Sequence, residues 1–265
     1  MIYLFIHVIV SDADPKNYLT YFKRATVYLA LGKYKAALDD LSEVIQLKPD
    51  FLAARLQRGS ILYKQGRLDE AHIDYEWVLR ADPYNEEAIH AYSMVEPLKH
   101  EIQNAYLLIN DGRWFEAVDL LTKLLHDLPW DVKLREMRST AYEKLGDLMN
   151  AISDLRATTK MRSDNTEGYL KLSKLHYDLG ESEESLNTIR ECLKLDPDHK
   201  PCFNFYKKVK KLAGHIKAMN DFAHENDFGE CAQKGNAALK VESDSPQMVY
   251  VIKSKMCQCL SKVSA

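Results

Sequence analysis

Glycine, alanine and proline recur along this chain at fixed offsets, and no other feature restricts its fold as tightly. Gly32, Ala37 and Pro49 are followed 34 residues later by Gly66, Ala71 and Pro83; Gly112, Ala117 and Pro129 repeat the offsets. Gly146 with Ala151, and Gly180 with Pro197, continue them. In the first complete unit Ala25, Val27, Tyr28 and Leu31 follow helical spacing up to Gly32. Glycine tolerates the left-handed backbone that closes a helix. A second apolar helical face follows at Ala36, Ala37, Leu41, Val44 and Ile45. Ala37 is small where the two helices must approach closely, and Pro49 cannot continue a helix, so the chain turns there. Gly59, Leu62, Gly66, Ala71, Tyr75, Val78 and Pro83 repeat the arrangement, and no strand-like alternation competes with it.

Paired helices on a 34-residue period are the tetratricopeptide pattern, so the predicted fold class is an all-α solenoid, an α–α superhelix of stacked hairpins. Such a stack presents a binding surface more readily than a catalytic site. The register slips twice: Gly66 to Gly112 spans 46 residues, one period plus 12, and so does Gly180 to its counterpart Asn226. Twelve residues lengthen a helix by about 18 Å. This predicts over-long first helices at about 86–110, kinked at Pro97, and about 201–225, starting at Pro201. The long helices would separate three blocks: 1–85, 86–199 and 200–265. Both ends read as partial repeats, a lone second helix over Met1 to Asp14 and a lone first helix at about Tyr250 to Leu260. A piece of a longer protein is therefore expected.

A chain of 265 residues with 46% apolar composition can bury an extended core, and its net charge of −3 argues against nucleic acid as a partner. Lys207, Lys208, Lys210 and Lys211 form the one basic cluster and read as a solvated helix face. The apolar run Ile2 to Val10 is too short to span a bilayer. It reads either as that second helix or as the apolar core of a signal peptide lacking a basic start. Without a signal peptide the location would be cytoplasmic.

Cys192 and Cys202 stand ten residues apart across Pro197 and Pro201, close enough either for a disulfide or for two reduced, half-buried thiols. Cys231 takes the small-residue position of Ala37 and reads as packing. Cys257 and Cys259 cannot readily pair with each other, and a partner is expected outside this sequence. No standard Cys/His metal spacing occurs, so no metal is expected. Nor is a cofactor: there is no phosphate-cradling glycine loop or nucleophile elbow, and no enzyme is predicted. His176 falls on an aromatic core position, Trp77, Trp114 and Trp130 on packing or turn positions, and Asp39 and Asp40 on exposed helix faces.

In a tetratricopeptide stack, the second, fifth, ninth and twelfth residues of each first helix line the inner groove. They are Leu19, Phe22, Thr26 and Leu29 in one repeat, and Ala53, Leu56, Ser60 and Tyr63 in the next. Lys99, Ile102, Tyr106 and Ile109 follow, and then Lys133, Glu136, Thr140 and Glu143. The groove is thus apolar near the N-terminus and charged in the middle. Leu19, Phe22, Leu29, Leu56 and Tyr63 form the candidate site for exposed hydrophobic segments of other proteins; the alternative is that they pack against a neighbouring repeat. A clamp for the C-terminal carboxylates of heat-shock chaperones is excluded, because a lone Lys99 cannot form one.

The stretches RATVYLALGKYKAALDDLSEVIQLKPDFLAARLQRGSILYKQGRLDEA (24–71) and RECLKLDPDHKPCFNFYKKVKKL (190–212) resemble the endoplasmic-reticulum DnaJ homologue subfamily C member 3 family. The likeness runs from about Asp12 to Lys262 and includes both spacers. It implies a lumenal location, a role in the unfolded protein response and capture of misfolded clients by an apolar patch in the first block. It also implies a disulfide between Cys192 and Cys202. Members are also known as inhibitors of initiation-factor kinases, so a stress kinase and a heat-shock chaperone are further expected partners. The chain contains no His-Pro-Asp tripeptide, the J-domain signature. On this reading it holds clients without triggering their transfer.

Overall fold

The computed structural model describes residues 16–162 and 164–263. Among them lie thirteen helices and no strand. Six hairpins pair α1 (Tyr18–Ala30) with α2 (Tyr34–Leu47), α3 (Leu52–Lys64) with α4 (Leu68–Ala81), and α5 (Glu86–Asn110) with α6 (Trp114–Asp127). They continue with α7 (Val132–Lys144) and α8 (Leu148–Met161), α9 (Thr166–Asp178) and α10 (Ser182–Leu195), and α11 (Lys200–His224) and α12 (Phe228–Val241). A single helix, α13 (Pro246–Val263), follows. The two predicted long helices are α5 and α11, 25 residues each, with Pro97 inside α5. The last helix begins four residues before the predicted Tyr250. The predicted helix over Met1 to Asp14, and the run Ile2 to Val10, lie outside the described residues. No described helix is long and apolar enough to cross a membrane.

Packing divides the chain into two compact units, Met1–Leu134 and Arg135–Ala265, with the boundary inside the predicted 86–199 block. In the first unit each helix from α1 to α6 packs on its neighbours in sequence. Its core runs through Ala25, Leu41, Val44 and Ile61, then through Leu62, Tyr75, Val78 and Ala88. In the second unit α9, α11 and α13 also touch one another, over a core that includes Val209, Leu212, Met219, Met248 and Ile252.

The turns follow from the residue types at the stops. Gly66 has φ of 73°, and Gly32, Gly112, Gly146 and Gly180 share that left-handed conformation. The counterpart position in the sixth hairpin, Asn226, has φ of 62° and is the one described non-glycine with positive φ. Asparagine is among the few side chains that tolerate it. Ala37, Ala71, Ala117 and Ala151 are fully buried where the helices of a hairpin meet.

Three hairpins carry an ion pair at one conserved offset of 16 residues: Arg24 with Asp40, Arg58 with Asp74, and Arg138 with Asp154. Each guanidinium grips its carboxylate with two nitrogens. The Asp40 hydrogen bond raises the Arg24 pKa above its ordinary value. Asp40 is therefore not on an exposed face, as its sequence suggested. It is buried against α1, and only Asp39 faces solvent. The amphipathic pattern is ambiguous there because a buried aspartate looks polar until its arginine, 16 residues earlier, is brought alongside.

Candidate protein-binding groove

The first helices of the first two hairpins, α1 and α3, line a cleft of about 440 Å³ in the first unit. Its apolar walls are Leu29, Tyr34, Leu56, Ile61 and Trp130, and its polar groups are Gln57, Ser60, Lys64 and Glu87. Helical spacing puts Ala53, Leu56, Gln57 and Ser60 on one face of α3, which forms the floor.

Of the five residues predicted to form the site, Leu29 and Leu56 meet in this cleft, both half-buried. Leu19 is 43% exposed and lies outside the cleft lining. Phe22 packs edge-on against Phe51, ring centroids 5.0 Å apart. Tyr63 lies edge-on to the buried Tyr75 at 6.4 Å. The two aromatics therefore pack against the core and are not among the residues that line the cleft.

The groove spacing named neither Trp130 nor Tyr34, and both line the cleft. Trp130, in the turn after α6, stacks on Tyr34 at 4.1 Å and 26°, and the Lys64 ammonium sits 5.2 Å from its ring centre. Its backbone N–H donates to the Lys64 carbonyl at 2.9 Å. The proline rule predicts the turn, but only tertiary packing brings this indole back onto α3. Gly66 is held under the same turn: a Cβ there would collide with the Asp131 carboxylate. Lys99 is occupied by Asp69 and Glu96.

In the second unit a wider cleft of about 700 Å³ opens where α9, α11 and α13 meet. Its buried anchor is Glu242, 1% exposed, which accepts hydrogen bonds from the Tyr177 hydroxyl, from Asp244 N–H at 2.7 Å and from Ser245 N–H at 2.9 Å. Lys208 Nζ lies 2.6 Å from the same carboxylate. Burial and the Glu242 hydrogen bond both push the Tyr177 pKa up. Of the lysine run, only Lys208 turns inward to this carboxylate; Lys207 and Lys210 lie over the rings of Phe203 and Tyr206.

Cys192 and Cys202 are bonded, with a Cα–Cα distance of 6.5 Å, and both are fully buried. A second disulfide joins Cys231 to Cys259. This corrects the reading of Cys231 as packing alone and of Cys259 as partnered outside the chain. The turn between α12 and α13 reverses direction, so the small-residue face of α12 meets α13. Cys257 is a free, exposed thiol. His176 is buried, with Nδ1 2.6 Å from the Glu181 carboxylate.

Residues 22–86 and 166–199 match the Tetratricopeptide repeat family. The human protein "DnaJ homolog subfamily C member 3" is 44% identical over 257 residues, covering 95% of this chain and 50% of its own length. A solved structure, "Crystal Structure of P58(IPK) TPR Domain at 2.5 A", superposes with a TM-score of 0.86 at 42% identity. It covers 97% of this chain and 72% of that one. The chain belongs to the DnaJ homolog subfamily C member 3 family. A "Tetratricopeptide repeat and J domain-containing co-chaperone DNJ1" of Cryptococcus neoformans is 31% identical over 82% of the chain and 41% of its own length. The chain spans about half the length of the curated relatives it matches. It is a tetratricopeptide-repeat member of a co-chaperone family.

Proposed function

We propose that this chain is the client-holding part of a lumenal co-chaperone, and that the first-unit cleft takes exposed apolar segments of unfolded proteins. The observation that carries this is the cleft itself: aliphatic and aromatic walls around Leu29, Leu56 and Trp130, with Gln57, Ser60, Lys64 and Glu87 as its polar lining. Burying one apolar side chain there yields about 1.5–3 kcal/mol, and losses of rigid-body freedom offset much of the sum. The outcome is modest, sequence-tolerant affinity, which suits capture of many clients. Two disulfides support an oxidising compartment, consistent with the endoplasmic-reticulum lumen.

The chain should slow aggregation of a chemically denatured reporter enzyme. Leu29→Glu combined with Leu56→Glu should remove most of that protection, with helical content by circular dichroism unchanged. Full protection by the folded double variant would place client binding elsewhere.

A further inference from the structure

The sequence spacing of Cys192, His199 and Cys202 fits no standard metal motif, yet the turn between α10 and α11 gathers all three. Their ligand atoms lie within 4.8 Å of one another. His199 caps α11 with Nδ1, which accepts from Cys202 N–H at 3.3 Å, and the same Nδ1 is 3.9 Å from Cys192 Sγ. Its Nε2 lies 3.0 Å from the Glu167 carboxylate. A carboxylate on Nε2 fixes the proton there and keeps Nδ1 an acceptor, which is how a carboxylate commonly orients a metal-binding imidazole. An ion bound by Nδ1 would take over the lone pair that now receives the Cys202 N–H.

The geometry points to a second covalent state of this turn: with the disulfide reduced, Cys192, Cys202 and His199 hold one zinc-class divalent ion. A dithiol would donate two electrons and two protons, breaking the S–S bond and leaving as a cyclic disulfide. Ion binding would then release the two thiol protons to water and form two metal–thiolate bonds and one bond to Nδ1. Metal–sulfur bonds of about 2.3 Å and metal–nitrogen bonds of about 2.0 Å at tetrahedral angles need a sulfur–nitrogen separation of about 3.6 Å. The present 3.9 Å between Cys192 Sγ and His199 Nδ1 is close to that. Water completes the tetrahedron, and Glu167 acts as a positioning residue. The reduced chain would thereby keep α10 and α11 joined before oxidation.

Cobalt(II) titration of the full chain, reduced with a phosphine and then freed of reductant under argon, tests this directly. One ion per chain should bind with a thiolate-to-metal charge-transfer band, and the oxidised chain should show none. Cys192→Ser with Cys202→Ser should abolish the band. His199→Asn keeps a helix cap without the imidazole and should weaken binding by more than Glu167→Gln, which should cost about 10-fold. A band that survives in the double serine variant and vanishes with Cys231→Ser/Cys259→Ser would overturn the assignment. Unchanged affinity in folded His199→Asn would do so too.

Discussion

Asp74→Ala should destabilise the first unit by about 3–5 kcal/mol, the range for removing one partner of a buried ion pair. Asp74 is fully buried and takes both nitrogens of Arg58, at 2.7 and 2.8 Å, with Arg55 at 3.4 Å. Truncation leaves two guanidinium groups facing apolar helix with no carboxylate. Arg58 also donates to Ser42 at 3.2 Å, so the loss reaches α2. Replacing both partners tells pair from packing: Arg58→Met with Asp74→Leu should recover much of the loss, because no unpaired charge is left from that pair. Chemical denaturation of the three proteins measures this. Equal destabilisation by single and double variants would mean that the site tolerates no apolar substitute.

The second large effect is expected at Glu242. Burial alone would raise its pKa. The Lys208 ammonium, the Tyr177 hydroxyl and the N–H groups of Ser245 and Asp244 outweigh burial and hold it at about 2, below the ordinary 4.5. A folded-state pKa below the unfolded one means stability that is present above about pH 4.5 and lost as pH falls towards 2. The shift corresponds to about 3 kcal/mol. Glu242→Ala should therefore cost about 3 kcal/mol at pH 7, releasing the turn between α12 and α13 from α9 and α11. The gap between variant and parent should shrink steadily between pH 4.5 and pH 2. Denaturation midpoints at pH 7, 4 and 3 check this; a gap independent of pH would show that packing, not charge, accounts for the loss.

Nearly all of the fold was legible because each stop in the repeat has a local physical cause. A glycine or asparagine closes each first helix, a small residue lets the second approach, and a proline commonly ends the hairpin. The same offsets located both 25-residue helices to within a residue. What depends on distant partners was not legible. Asp40, Asp74 and Asp154 look like solvent-facing charges until the hairpin closes on their arginines. Trp130 looks like a turn residue until it stacks on Tyr34, 96 positions away in sequence. Cys231 and Cys259 are 28 residues apart, and nothing in their spacing pairs them before α12 meets α13. In the groove, Leu29 and Leu56 both line one cleft, while Phe22 leans on Phe51, a contact that spacing alone does not reveal.

Client capture by the first-unit cleft is tested most directly by placing a photo-crosslinking side chain at Ser60, in the cleft lining, and separately at Asp39, on the exposed face of α2. A denatured client should crosslink from position 60, and Leu29→Glu with Leu56→Glu should suppress it. Position 39 should stay at background. Equal crosslinking from both positions, or strong crosslinking from 39 alone, would contradict the account.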